Sequence, residues 1–243
     1  MSVDKSSLRV RRMFGQIARR YDLMNHLLSL NVDRYWRRRA VKTVPPVGDA
    51  PVLDLCTGTG DLALAYERAG RGRVTVVASD FCHEMLVIGR EKSRRRGAGG
   101  QLAFVEADAQ RLPFPDNSFQ IVSVAFGLRN VADADRALAE MTRVCRPGGR
   151  VVVLEFTTPR RQPLRSIYLW YFRHVLPRLG QLVARNREGA YNYLPASVNE
   201  FAAYEALAER MQAAGLGEVC FYPLTCGVAT LYVGEKERMK DEG

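Results

Sequence analysis

In the stretch Val52-Leu53-Asp54-Leu55-Cys56-Thr57-Gly58-Thr59-Gly60-Asp61-Leu62, an apolar run enters a turn that carries two glycines and is bracketed by two aspartates. Glycines spaced in this way let a backbone turn tightly and lie close to a ligand, at the N-terminus of a helix that begins near Asp61. Two cofactor classes use such a turn. Gly58-x-Gly60-x-x-Ala63 satisfies the relaxed dinucleotide fingerprint, with Asp80 about 20 residues further on, so a nicotinamide enzyme has to be weighed. The carboxylates argue the other way: Asp54 and Asp61 would repel a pyrophosphate, whereas S-adenosylmethionine has no phosphate and presents an ammonium and a sulfonium.

More carboxylates recur downstream at similar places. Asp80 closes a β-rich run (Val74 to Ser79), Asp108 follows a strand at Leu102 to Glu106, and Ala125 ends a strand from Phe119. In this reading Asp80 accepts both ribose hydroxyls, Asp54 and the Thr57-Gly58-Thr59-Gly60 backbone hold the amino-acid end of the donor, and Asp108 with Ala109 meets the adenine edge. Each aspartate alone has a plainer reading as a turn former or helix cap; recurrence at successive strand ends is what favours a site.

The elements that must carry these residues alternate. Periodicity predicts helices at Leu8 to Arg20 and Asp33 to Val44, then strand 52–55, helix 61–69, strand 74–79, helix 82–95, strand 102–106, strand 119–125 and helix 133–144. A turn at Arg146-Pro147-Gly148-Gly149 leads to strand 151–155. The alternation specifies an α/β fold with a mostly parallel sheet, helices on both faces, and ligands at the carboxyl ends of the strands. A helical segment, Pro163 to Asn186, interrupts it, and a helix at Ser197 to Ala214 precedes strands at 218–223 and 228–234. Their connection, Thr225-Cys226-Gly227, is too short for a parallel crossover, so they form an antiparallel hairpin. That ending suits a class I, Rossmann-like methyltransferase sheet rather than a dehydrogenase. A single domain is expected: cap 1–45, cofactor core 50–158, helical insertion 159–195, final helix and closing strands 196–237.

Composition narrows the setting. The 243 residues are 47% hydrophobic, enough for one substantial core. Five cysteines without a CxxC pair and three histidines without ligand spacing indicate neither a disulfide framework nor a metal site, and point to a reduced, cytoplasmic setting. No apolar run approaches the about 18–20 residues of a spanning helix, and the N-terminus lacks the apolar stretch of a signal peptide. Residues 1–50 hold eleven Lys and Arg against four Asp and Glu, supplying seven of the ten net positive charges. Such a basic surface suits nucleic acid, an anionic membrane face or an acidic partner. No appended RNA-binding domain is visible, and the aromatic run Ile167-Tyr168-Leu169-Trp170-Tyr171-Phe172, flanked by Arg165, Arg173 and His174, fits an apolar substrate or a bilayer interface better than RNA. A helix buried against the sheet or in a homodimer is the plainer reading of that run.

Several stretches together resemble one family. Leu112-Pro113-Phe114-Pro115-Asp116-Asn117-Ser118-Phe119 resembles the general class I methyltransferase pattern, and Tyr21-Asp22-Leu23-Met24-Asn25-His26-Leu27-Leu28-Ser29 with Trp36, Phe126-Gly127-Leu128-Arg129-Asn130-Val131, and Arg143 to Arg150 through Leu154-Glu155-Phe156 look like signatures of the ubiquinone/menaquinone biosynthesis C-methyltransferases. Tyr191-Asn192-Tyr193-Leu194, Ser197 and Leu224-Thr225-x-Gly227 continue the likeness almost to the end. The chain departs from the pattern at Asp33 (histidine expected), Ala125 (serine) and Thr157 (serine); Ala125 can offer a donor only its backbone. The resemblance implies methyl transfer from S-adenosylmethionine to a ring carbon of a prenylated quinol, demethylmenaquinol by preference and its benzoquinol counterpart as an alternative, with peripheral membrane contact. For that chemistry Arg129 is expected to stabilise the phenolate, Asn130 to orient an oxygen, and Tyr21, Asp22 or His26 to relay the proton. The plainer roles are a salt bridge for Arg129 and lid packing for Tyr21 and His26.

Overall fold

The computed structural model describes residues 7–97, 100–175 and 190–238. Seven strands form one sheet in the order β3-β2-β1-β4-β5-β7-β6: β1 (Val52–Leu55), β2 (Val76–Asp80), β3 (Leu102–Glu106), β4 (Phe119–Ala125), β5 (Cys145–Phe156), β6 (Val219–Leu224) and β7 (Ala229–Glu235). β1 to β5 run parallel, while β7 pairs antiparallel with both β5 and β6. The expected closing hairpin is therefore present, and it places a single reversed strand between two forward ones.

Alternate residues of the central strands enter two separate cores. Leu53, Leu55, Val122, Val124, Val151 and Val153 face α5 (Ala134–Val144) and the helix Glu205–Ala213. Val52, Ile121, Val152 and Leu154 face α2 (Val32–Thr43) and α3 (Asp61–Gly70). Burial on both faces explains why these strands read as continuous apolar runs. Three boundaries differ from expectation. α1 extends over Ser7–Leu28, eight residues beyond the periodic part at its start. The Arg146 to Gly149 turn lies inside β5, where the register with β4 shifts between Phe119 and Ile121 and Gly148 takes a φ of 72°.

The third difference is at the predicted 197–214 helix, which is two helices, α7 (Ala190–Glu200) and α8 (Glu205–Ala213), broken where Tyr204 adopts a φ of 56°. Tyr204 is fixed there by its backbone N–H donating to the Tyr232 hydroxyl and its own hydroxyl donating to the Thr158 carbonyl. The insertion contains α6 (Leu164–Trp170) and a π turn, Tyr171–Val175; the rest of the predicted 163–186 helix lies outside the described residues. α4 (His83–Arg95) carries α1, which crosses the carboxyl ends of β1 and β2.

Candidate active site

A cleft opens at the carboxyl ends of β1, β2 and β4. Gly58, Asp80, Asp108 and Ala109 line its floor, Phe126 and Asn130 one side, and Phe14 and Tyr21 of α1 its roof. A smaller recess shares Tyr21 and Cys56 with it and is lined by Arg37, Asp54, Thr57, Thr59, Asp61 and Ala125. The topology thus gathers every expected donor-side residue except Gly60 into two adjoining hollows.

Gly60 acts one layer behind. Its φ is 83° at the start of α3, and an added Cβ would stand 3.1 Å from the Phe104 ring, so the turn needs glycine there for both conformation and space. Gly127, which sequence reasoning did not single out, is tighter still: its Cβ would lie 2.3 Å from the Cys56 Cβ. That close approach is what lets the segment after β4 lie against the segment after β1.

Asp80 and Asp54 are the buried acids of the site, 7% and 1% exposed. Asp80 accepts from the Gly58 N–H at 2.8 Å and the Cys82 N–H at 2.9 Å, tying the glycine turn to the end of β2. Asp54 accepts from the Thr57 hydroxyl at 2.6 Å and the Ser123 hydroxyl at 2.8 Å. Burial pushes each pKa up to about 6, only partly offset by these hydrogen bonds. Asp108 is exposed at the cleft edge and accepts from the Gln110 N–H at 2.9 Å.

The roof is fastened by a residue whose sequence position gave no signal. Lys92 of α4 donates to Asp22 at 2.6 Å, to the Thr59 hydroxyl at 2.8 Å and to Asp61 at 2.9 Å, and Thr59 in turn donates to Asp22. Asp22 lines neither hollow; its carboxylate fastens α1 over the glycine turn. Tyr21, by contrast, lines both, and burial raises its pKa against the opposing pull of a hydrogen bond with Asn25 and the charge of Arg37. Burial alone would also raise Asp61, but Lys92 and Arg37 overcome it and hold it low.

His26 is turned toward Asp33, its Nδ1 2.9 Å from a carboxylate oxygen, and its Nε2 lies 4.0 Å from Asp61. Asp33 is 2% exposed and accepts also from Ser29 and Arg37. Its burial is outweighed by Arg37 and these hydrogen bonds, so its pKa falls. The histidine expected at position 33 is thus replaced by an aspartate that pairs with a histidine one helix earlier.

Arg129 departs from the expected free anion stabiliser. It sits in a 3₁₀ turn, Leu128–Asn130, directly after β4, is 6% exposed, and donates to Glu155 of β5 at 2.8 Å and to the Phe126 carbonyl. Its guanidinium carbon lies 5.3 Å from the Phe156 ring centroid, and it does not line the cleft. The salt bridge that was the plainer reading of this arginine is present, made by a fully buried glutamate 26 residues away. Asn130, its neighbour in the turn, does face the cleft.

The residues present suit S-adenosylmethionine. Two buried carboxylates, a glycine turn with φ near 58° at Gly58, and, among the described residues, cations at the turn (Lys92 and Arg37) that are already paired with aspartates fit a cationic donor without phosphate. Ser79 Oγ and Asn130 Oδ1, both buried beside the cleft, have no hydrogen-bond partner and offer additional polar contacts.

Comparison with known proteins agrees with this geometry. The model of the ubiE/COQ5 methyltransferase family matches residues 2–236. A demethylmenaquinone methyltransferase of Thermus thermophilus is 50% identical over 92% of this chain and 100% of its own length. A protein of the same name from Deinococcus radiodurans is 47% identical over 93% and 92%, and the ubiquinone/menaquinone biosynthesis C-methyltransferase UbiE of Geobacter sulfurreducens is 45% identical over 94% and 88%. Among solved structures, a SAM-dependent methyltransferase from Thermotoga maritima shares the fold with a TM-score of 0.64 at 18% identity, covering 94% of this chain and 100% of that one. With almost its whole length matched by the family model, the chain belongs to the ubiE/COQ5 methyltransferase family.

Proposed function

We propose that this protein transfers a methyl group from S-adenosylmethionine to a ring carbon of a prenylated quinol, demethylmenaquinol foremost. The observation that carries the reading is a glycine-turn cleft that presents the buried carboxylates Asp54 and Asp80, its lining arginine, Arg37, being already paired with Asp33, and that stands beside an aromatic cluster. Phe126 and Phe156 stack with centroids 4.4 Å apart, and Trp36 meets each at 5.8 Å. Names of the 50% and 47% identical relatives favour the naphthoquinol, and the name of the 45% identical one leaves room for the benzoquinol as a second substrate.

When bound, the donor supplies an electrophilic methyl group on a sulfonium. The chain's own part is to bind and orient. Asp80 receives ribose hydroxyls, Asp54 with Thr57, Gly58, Thr59 and Gly60 holds the amino-acid end, Ala125 contributes its backbone, and Asp108 with Ala109 lies at the adenine edge. On the substrate side Arg129 and Asn130 hold the ring oxygens, with Tyr21 as the wall between the hollows. A quinol carbon gains nucleophilicity when the neighbouring hydroxyl loses its proton; the Arg129 charge is shared with Glu155, and what the arginine still has to offer that anion is its unpaired Nε–H as a hydrogen-bond donor. Asp22, held by Lys92 and Thr59, and His26, turned to Asp33, line neither hollow, which leaves Tyr21, lining both, to relay the proton to water.

Peripheral membrane contact through α6 belongs to the same reading. Leu164, Ile167 and Trp170, three residues apart, are 41%, 59% and 59% exposed, while Tyr168 and Phe172 of the same run are buried. Arg161, Arg165 and Arg173 stand exposed around them, a combination suited to an anionic leaflet. Among the described residues no helix is long and apolar enough to cross a membrane.

The deciding experiment is methyl transfer from labelled S-adenosylmethionine, under reducing conditions, to short-chain demethylmenaquinol and to the matching benzoquinol. Label in the naphthoquinol is expected. Its absence from both rings, in protein that S-adenosylhomocysteine stabilises thermally, would refute the quinol substrate; stabilisation by NAD instead would refute the donor.

A further inference from the structure

Among the described residues, five buried side-chain polar atoms have no hydrogen-bond partner, and three of them belong to Arg129 (Nε), Asn130 (Oδ1) and Tyr168 (the phenolic oxygen). All three residues are at least nine-tenths buried, at 6%, 9% and 8% exposure. Buried polar atoms are almost always paired; Asn130 lines the donor cleft, and the two remaining orphans, Arg129 and Tyr168, meet at one other feature, which marks a place completed by something other than the chain itself.

That feature is Phe156, the last residue of β5. The Arg129 guanidinium lies by its ring, 5.3 Å from the centroid. Tyr168 belongs to the small cluster packed against it, together with Phe172, Val198 and Val228. The Tyr168 and Phe172 rings stack with centroids 4.2 Å apart, which fixes the tyrosine from its other side. Arg129 is near enough for its charge to act on the Tyr168 hydroxyl, although burial, the larger effect, drives that phenol's pKa up. Tyr168 therefore keeps its proton at physiological pH and has an O–H available to donate.

We infer that Tyr168 is a second recognition residue for the quinol, its hydroxyl and the Arg129 Nε together donating to the ring oxygens while Phe156 and Phe172 receive the flat ring. The inference rests on the quinol reading above and deepens it. The 3₁₀ turn then brings both side chains to the ring, Asn130 from the side of the donor cleft and Arg129 from the side of Phe156. α6 has two faces accordingly: Tyr168 turns inward to the ring, and Ile167 and Trp170 turn outward beside the route of an apolar tail.

The test is Tyr168→Phe, which deletes one oxygen. KM for short-chain demethylmenaquinol should rise about tenfold, the value of a single hydrogen bond to a partly charged partner. S-adenosylhomocysteine affinity should stay unchanged, and Tm should hold or rise because an unsatisfied buried hydroxyl is gone. A folded Y168F with wild-type KM would overturn the inference, as would a lowered Tm with KM unchanged. A substrate with one ring oxygen methylated gives a second check that needs no well-behaved variant: its KM penalty in wild type should shrink in Y168F, and an equal penalty in both would overturn the inference. Failure of the wild type to label any quinol would instead remove the reading on which it rests.

Discussion

Asp54 and Asp80 show how a single residue's environment sets the conditions under which the site works. Both have folded pKa values near 6, above the ordinary carboxylate range, because burial penalises the charged form. The folded protein therefore holds protons that the unfolded chain has lost between about pH 4 and 6, and by linkage these two residues make stability fall as pH rises through that window. Binding of a cationic donor runs the opposite way, since it needs the ionised carboxylates. Affinity for S-adenosylmethionine, measured by calorimetry, should thus strengthen severalfold from pH 5 to pH 7, and Asp80→Asn should flatten that rise while weakening binding about tenfold or more. A pH-independent affinity in the wild type would contradict the assigned role. Asp33 lies on the other side of this logic: Arg37 holds it low, so its contribution is lost only in acid below the usual carboxylate range.

At the level of elements, α1 is held over the glycine turn by one cation. Lys92 has a side chain only 13% exposed and satisfies Asp22 from α1 and Asp61 from α3 at once. Removing one partner of a buried pair leaves charges stranded and costs about 3–5 kcal/mol; with Asp22 30% exposed, the lower end or less is expected for Lys92→Met. The loss should be local. Hydrogen exchange should quicken in the α1 amides around Tyr21 and Asp22 while the strands stay protected, and donor affinity should drop because Tyr21 no longer roofs the cleft. Uniform acceleration across the sheet would show that Lys92 supports the whole fold rather than the roof.

For the whole molecule, the outward face of α6 and the basic N-terminal segment, residues 1–50, define how the protein meets its surroundings. Replacing Ile167 and Trp170 by serine should reduce binding to vesicles containing anionic lipid about tenfold without changing Tm, since both side chains are already exposed. Turnover of a short-chain quinol in solution should persist, and turnover of a long-chain quinol in vesicles should fall. Unchanged vesicle binding by the folded double variant, or a shift in its oligomeric state by gel filtration, would assign that face to a second copy of the chain. Steep salt dependence of vesicle binding would identify the arginines as contributors.

The amino-acid order alone carried the strand-helix alternation, the glycine turn with its flanking aspartates, and the antiparallel ending, because those depend on neighbours within a few residues: periodicity, turn chemistry and connection length. The family resemblance added the departures at Asp33, Ala125 and Thr157. Tertiary structure alone decided the partners. Arg129 meets Glu155 across 26 residues, Asp22 meets Lys92 across 70, and Trp36 donates to Thr225 across 189. Such pairings follow from which strand lies beside which and where α1 crosses the sheet, and no local pattern encodes them. The same holds for the run at 167–172, whose composition reads as uniformly apolar; only its seat beside Phe156 determines that Tyr168 turns inward with an unsatisfied hydroxyl while Trp170 turns to solvent.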